Sequence, residues 1–392
     1  MKKLILASAV LGAVGSSAAW AQNSVTLYGI IDEGFNFNTN AGGKHLYNLS
    51  SGVIAGSRFG MRGTEDLGGG LKAVFVLENG FDVNNGQLGQ GGLMFGRQAY
   101  VGLSSAQLGT VTLGRQYDSI VDYVGPLEAG DQWGGYIASH PQDMDNFNST
   151  YRPNNTVKFT SANYDGLTFG GTYSFGGQAG NFSANQIWSL GAGYTNGPLA
   201  LGVGYLNART PNTTGGIFNN GSSASPLTPT ANPVYGGFAT ANTYQVIGAG
   251  GAYTFGAATF GVTYSNVSFR NLGATGATIF QNGTNATFNN VEANFKYQIT
   301  PALLAGFAFD YTDGSSVTRA NGSSQDGAKY YLYALGTDYF LSKRTDVYLI
   351  GAFQHASGTD STGGPAVASM KGLTPSSTDN VFTARIGIRH KF

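Results

Sequence analysis

From Ser24 to Phe392 apolar and polar side chains alternate with a period of two, window after window. "SVTLYGIIDEGF" puts Val25, Leu27, Ile31 and Phe35 on one face. "GLKAVFVLENGF" sets Leu71, Ala73, Phe75 and Leu77 against Lys72 and Glu78. "VEANFKYQI" sets Val291, Ala293, Phe295, Tyr297 and Ile299 against Glu292 and Lys296, and "LLAGFAFDY" sets Leu303, Ala305, Phe307, Phe309 and Tyr311 against Asp310. The chain even closes this way: in "VFTARIGIRHKF", Phe382, Ala384, Ile386, Ile388 and Phe392 share one parity, and Thr383, Arg385, Arg389 and Lys391 the other. This is strand spacing, and helical spacing competes in none of these windows.

A strand with one greasy side needs something to cover it. Charged residues make up 11% of the chain, against about 25% in soluble proteins. Gly, Tyr and Phe are abundant at 61, 22 and 25. Past the N-terminal leader no apolar run approaches the roughly 18 residues of a membrane helix. A transmembrane β-barrel has these properties, because lipid covers one face of every strand while average hydropathy stays near zero. On this reading the apolar faces meet lipid and no hidden core.

Separators between strands fall into two sizes. "DLGGG" (66–70), "YDG" (164–166), "NGP" (196–198), "TP" (300–301) and "LSKR" (341–344) are tight turns, with the residues such turns require. Polar stretches at about 209–241, 269–287, 313–328 and 357–379 are long. Short turns at one end and long loops at the other is the asymmetry of outer-membrane barrels. Strands are expected near 24–37, 57–66, 70–81, 94–103, 109–117, 155–164, 166–176, 186–196, 198–208, 242–255, 257–269, 288–299, 301–312, 329–340, 344–356 and 380–392, sixteen in all. The parity of 242–255 slips between Val246 and Tyr253, consistent with a bulge. An open edge in hydrocarbon would leave backbone groups unpaired, so the sheet must close, around a lumen wide enough for water.

The leader "MKKLILASAVLGAVGSSAAWAQN" carries Lys2 and Lys3, an apolar run, then Ala19-Trp20-Ala21. It reads as a secretory signal over residues 1–21, cut after Ala21, leaving a single barrel domain over 22–392. Absence of Cys excludes disulfides and thiolate metal sites. Lys and Arg total 21 against 21 Asp and Glu, so the basic domain that nucleic acid binding requires is absent.

"SRFGMRGTEDLGGGLKAVFVLENGF" and "FGRQAYVGLSSAQLGTVTLGRQYDS" resemble the second-to-fifth-strand region of Gram-negative general porins, especially the beta-proteobacterial branch. "VTLYGIIDEG" is similar to that family's first strand, "YRPNNTVKFTSANYDGLTF" to its sixth and seventh, and "RIGIRHKF" to its last. The resemblance implies an outer-membrane homotrimer of sixteen-stranded antiparallel barrels, embedded among lipid and lipopolysaccharide, with no cofactor. Its third loop folds inward and sets acids against a basic wall, and a terminal aromatic, here Phe392, serves as a signal to the outer-membrane insertion machinery.

The segment 118–153 sits where that constriction loop belongs. Glu128 and Asp131, in "PLEAGDQWGG", match the family's loop tip, followed by Asp122; the alternative is that they cap turns or bind water. Phe59 and Met61 face lipid by parity, so Arg58 and Arg62 face the lumen. Arg97 and Arg152 match wall arginines of the family, and Lys158 is opposite in parity to Val157 and Phe159. A lipid-facing arginine at mid-membrane costs roughly 2–4 kcal/mol, which turns strand arginines inward. The alternative for these five is a solvated wall or periplasmic rim. Arg115 is the exception, sharing the outward parity of Val111 and Leu113. It either lies beyond the apolar band or pairs with an acid across the trimer interface, as the family's arrangement implies.

The resemblance implies passive diffusion of small hydrophilic solutes and ions, and the excess of arginines implies a lean towards anions. A substrate-specific channel on the same fold is the alternative, with Tyr28 and Tyr117 as candidate lining. A barrel hydrolase is a remoter one. The four histidines, His45, His140, His355 and His390, sit in no nucleophile motif and lack metal-site spacing, and each is expected at the surface or rim.

Overall fold

The computed structural model describes residues 24–210 and 232–392. The leader, with its expected cut after Ala21, and residues 211–231 of one long loop lie outside the described residues. The elements are β1 (Ser24–Ala41), β2 (Lys44–Ser51), β3 (Arg58–Gly68), β4 (Leu71–Gly80), β5 (Gln98–Ser105), β6 (Gly109–Arg115), β7 (Thr156–Ser161), β8 (Leu167–Ser174), β9 (Ile187–Asn196) and β10 (Leu199–Arg209). They continue with β11 (Thr243–Phe255), β12 (Ala258–Arg270), β13 (Ala286–Thr300), β14 (Leu303–Gly314), a small β15 (Val317–Thr318) and β16 (Ser324–Gln325) hairpin, β17 (Lys329–Phe340), β18 (Thr345–Ser357) and β19 (Asn380–Lys391).

Each wall strand pairs antiparallel with its neighbours, and β1 pairs with β19 to close the ring. The wall has sixteen positions, because β2 and β3 share one. β2 pairs with the far half of β1, Glu33 to Ala41, and β3 with its near half, Ser24 to Ile30. Between them residues 52–57 leave the wall and turn inward, where Val53 and Ile54 are buried against Ile137 and Tyr348. The polar "KHLYNLSS" of β2 lies in a stretch the sequence pattern gave to a loop. It keeps the alternation, with Tyr47 65% and Leu49 58% exposed on the outer face and Asn48 and Ser50 bonded to Asn36 on the inner one.

Outward residues are open, with Leu27 63% and Ile386 60% exposed, while the alternate Asp32, Asn36 and Arg385 are buried. β11 keeps continuous register with both neighbours, so the expected bulge is absent. Its parity slips because Tyr244 and Val246 point inward as apolar residues. They join Phe147, Tyr151, Leu206, Phe238, Phe269, Phe280, Phe288 and Tyr330 in a buried cluster inside the barrel. The sequence pattern led us to expect no hidden core. The correction is that residues 232–242, 271–285 and 315–328 pack inward, the first two segments bringing Tyr235, Phe238 and Phe280 against inward strand aromatics, and fill the lumen beside β10–β17.

The last residue is paired. Phe392 N–H donates to Gly29 O, and Gly29 N–H to Phe392 O, both at 3.0 Å. A Cβ on Gly29 would come within 2.3 Å of the Phe392 ring, so the ring lies across a position only glycine leaves open.

Candidate functional site: a charged constriction inside the barrel

The segment 118–153 leaves β6 and folds into the lumen. Asp118 starts it as a helix cap, its carboxylate accepting from Ile120 N at 2.8 Å and Val121 N at 3.3 Å. The helical turn Ser119–Tyr123 is anchored by Ser119 N donating to Ser189 Oγ of β9 at 2.9 Å. Lumen-facing glycines admit it: a Cβ on Gly202 would stand 1.9 Å from the Tyr123 carbonyl oxygen, and one on Gly204 2.9 Å from Ile120. Farther along, the Trp133 ring lies on Gly306 of β14 and Gly336 of β17, where a Cβ would approach to 2.3 and 2.6 Å. Asn294 donates to Leu127 O at 2.9 Å, and Lys296 to Gln132 Oε1 at 2.8 Å. The loop is therefore moulded to the β9–β17 side of the wall.

On the opposite side it leaves a cavity of about 660 Å³. Arg58, Arg97, Arg152 and Lys371 line it, and Asp131 projects from the loop. Arg97 Nε donates to Glu78 Oε1 at 2.8 Å and its Nη2 to Tyr117 Oη at 2.8 Å. The Arg152 guanidinium stacks 5.1 Å from the centre of the Tyr117 ring. Arg58 is the most open of the three, its side chain 20% exposed, with Nη1 4.0 Å from the Glu78 carboxylate. Three guanidinium groups thus converge around one tyrosine and one buried carboxylate. Asp131 is exposed to the lumen, yet its narrow surroundings strip enough water to push its pKa up to about 6, against the pull of Lys371 and Arg58.

Several expected site residues stand elsewhere. Glu128 was expected at the loop tip facing the basic wall, but it is fully buried behind the loop. Glu128 is the extended cap of the short helical turn Ala129–Gln132, whereas Asp131 lies inside that turn and is exposed. Its Oε1 accepts from His140 N at 2.9 Å, and burial raises its pKa well above the usual carboxylate range. Asp122 and Lys158 touch each other directly, and Lys158 Nζ also donates to Tyr117 O at 3.1 Å. They tie the loop to β7 where they meet, instead of facing each other across open lumen. Arg62 lies nearer the short-turn end, exposed, its guanidinium 5.4 Å over the Tyr28 ring. Arg115 bonds within its own chain, Nε donating to Gly96 O at 2.8 Å and Nη1 to Arg152 O at 3.0 Å.

The geometry is that of a barrel narrowed from within, and comparison with known proteins agrees. The family described as Gram-negative porin matches residues 7–359. The chain belongs to the Gram-negative porin family. This porin is 32% identical over 384 residues to an outer membrane porin protein of Bordetella pertussis, covering 90% of this chain and 94% of that one. It is 34% identical over 225 residues to outer membrane porin protein 32 of Delftia acidovorans, covering 54% and 61%. Among solved structures, the anion-selective porin from Comamonas acidovorans superposes with a TM-score of 0.67 at 23% identity, over 95% of this chain and all of that one. The trimer form of the outer membrane protein OmpT of Vibrio cholerae gives 0.63 at 17% identity, over 94% and 99%. This is an outer-membrane protein that crosses the bilayer many times as a closed barrel and forms a passive channel.

The porin's constriction also holds residues that sequence reasoning passed over. Glu78 carries the inward parity of β4, a signal that was available, and it organises Arg58, Arg97 and, at 3.0 Å, the Tyr28 hydroxyl. Lys371 comes from the loop before β19 and had no local signal. It donates to Asp143 Oδ2 at 2.9 Å. His140, expected at the surface or rim, is instead fully buried, its Nδ1 2.5 Å from Asp145 Oδ2 and its Nε2 3.5 Å from Asp310 Oδ1. Burial opposes charge on this ring, but the carboxylates of Asp145, Asp310 and Glu128 outweigh it and hold its pKa well above the ordinary value. His355 is half-buried and His390 exposed.

Proposed function

We propose that this porin passes small hydrophilic solutes and ions with a preference for anions. The observation that carries the reading is the convergence of Arg58, Arg97 and Arg152 on one side of the cavity, with Lys371 beside them and Asp131 opposite. Arginine stays charged at any working pH and offers several donors to one anion. Charges of opposite sign across a narrow wet passage orient dipolar solutes, and an excess of one sign enriches its counter-ion. Phe392 is read by the insertion machinery, the apolar outer face is covered by lipid and lipopolysaccharide, and three copies assemble, as the trimer form of the similar Vibrio cholerae protein supports. We read the protein as a channel and not a catalyst. Passage by diffusion asks nothing of its residues but position and charge.

The test is the reversal potential of purified protein in planar bilayers under a potassium chloride gradient. An anion-selective potential that moves towards zero in Arg97→Ala and further in Arg58→Ala/Arg97→Ala is expected. A cation-selective potential in the unmodified protein would refute the preference. A single heat-labile band of trimer mass on a denaturing gel checks the assembly.

A further inference from the structure

Behind the constriction loop, in the seam between it and β12–β14, lie four carboxylates and one imidazole: Glu128, Asp145, Glu292, Asp310 and His140. Each is at most 1% exposed. Donor atoms of Glu128, His140 and Glu292 all lie within 4.8 Å of one another. Donors around a tetrahedral zinc stand about 3.3 Å apart, given bond lengths of about 2.0–2.2 Å, so the three would have to draw together by up to about 1.5 Å to share one ion.

Two further observations point to a ligand. Glu128 Oε2 and Glu292 Oε2 are buried without a hydrogen-bond partner, which native proteins avoid unless something fills the gap, and His140 Nε2 and Asp310 Oδ1 face each other at 3.5 Å. The rest of the cluster is organised as a supporting shell. His140 Nδ1 is held by Asp145, whose Oδ2 also accepts from Ser265 Oγ at 2.6 Å. Glu292 Oε1 accepts from Ala129 N at 2.9 Å and Asn294 Nδ2 at 2.6 Å. Both ring nitrogens of His140 thus face carboxylates, Nδ1 that of Asp145 and Nε2 that of Asp310, and an ion would enter between Nε2 and Asp310 while Asp145 keeps the ring oriented, as carboxylates commonly do for metal-binding histidines.

Charge gives the same direction. The seam carries as many as four negative groups and one basic ring. The nearby lysines serve elsewhere, Lys296 on Gln132 and Lys371 on Asp143. A donor set of one imidazole nitrogen and carboxylate oxygens suits zinc-like ions, whereas calcium and magnesium take oxygen alone. We propose that this seam binds a divalent ion of the zinc class through Glu128, His140 and Glu292, with Asp310 as the fourth donor. Glu128 and His140 belong to the loop, and Glu292 and Asp310 to the wall, so the ion clamps one to the other.

Cobalt(II) is the probe. Folded protein stripped with chelator is equilibrated with cobalt, desalted, and assayed for retained metal and visible absorption. One cobalt per chain with an intense tetrahedral-type band, displaced by zinc and not by calcium, is expected. His140→Gln and Glu292→Gln should each weaken retention about tenfold or more, while His355→Gln, on the outer side, should not change it. Because the first two variants can disturb the loop, X-ray absorption on the zinc-loaded unmodified protein provides the second reading: a first shell containing one histidine nitrogen. The proposal is overturned if the unmodified protein retains no metal, in which case protons neutralise the cluster. It is overturned equally if His140→Gln retains as much, or if calcium displaces the cobalt.

Discussion

Arg97 Nε lies 2.8 Å from Glu78 Oε1, both side chains nearly buried in the wall, and that one carboxylate also faces Arg58 at 4.0 Å. The basic side of the constriction is therefore an arginine pair held in place by an acid behind it. Charge-assisted hydrogen bonds of this kind contribute about 1.5–3 kcal/mol. Glu78→Gln should leave both guanidinium groups with less compensation and strengthen anion preference. The reversal potential should move further in the anion direction, and an unchanged value would mean that the carboxylate is screened from the passage.

Asp131 gives the channel a pH response. With its pKa pushed up to about 6, it is mainly ionised at pH 8 and about nine-tenths protonated one unit below that pKa. Lowering pH removes the negative charge facing Arg58 and Arg97, so anion preference should rise between pH 7 and pH 5. Asp131→Asn should show the acid-side selectivity throughout and a flat profile. A profile with the same slope in the variant would assign the titration elsewhere.

Trp133 should govern how still the loop is. Trp133→Ala leaves a void over Gly306 and Gly336, and such truncations cost about 3–5 kcal/mol. The wall's own hydrogen bonds do not depend on the ring, so the barrel should still assemble while open-channel current noise increases. Gly336→Leu should do the same by displacing the ring.

The buried pair Arg385–Asp32, 3.3 Å apart and sealed by Tyr348, should matter for stability. Arg385→Met leaves Asp32 buried without its partner, at a cost of about 3–5 kcal/mol. Thermal unfolding in detergent should shift downward, and Asp32→Asn/Arg385→Met should recover most of the loss.

Gly29 should tolerate no side chain. Gly29→Leu collides with the Phe392 ring and should lower the yield of assembled protein in the membrane fraction, as deletion of Phe392 should. Normal assembly of the first variant together with failure of the second would separate recognition of Phe392 from its seat on β1.

The wall was legible because lipid enforces period two, so Val25, Leu27, Phe382 and Ile386 announce their side without knowledge of any partner. β2 went unread because its alternation of outward Tyr47 and Leu49 with inward Asn48 and Ser50 is short. Where that enforcement stops, the pattern misleads: Tyr244 and Val246 break parity because loops, not water, meet them. The same rule placed Arg58 on the lumen side, whereas Arg97 and Arg152, which precede their strands, came only with the family resemblance. Glu128 and Asp131 are three residues apart, a spacing that puts side chains on one face of a regular helix, so nothing along the chain records that the extended cap position seals the first while the second stays open. Lys371 and Glu292 reach the loop from distant strands or loops, and no spacing along the chain records such a meeting.

The aromatic cluster beside β10–β17 has a consequence for how such channels diverge. A barrel's circumference is fixed by strand number, which changes only with whole hairpins. Here much of the bore is occupied by loop residues such as Tyr235, Phe238 and Phe280, which can be trimmed or enlarged one methylene at a time. Permeability can thus be re-gauged in small steps, with the hydrogen-bonded cylinder left untouched.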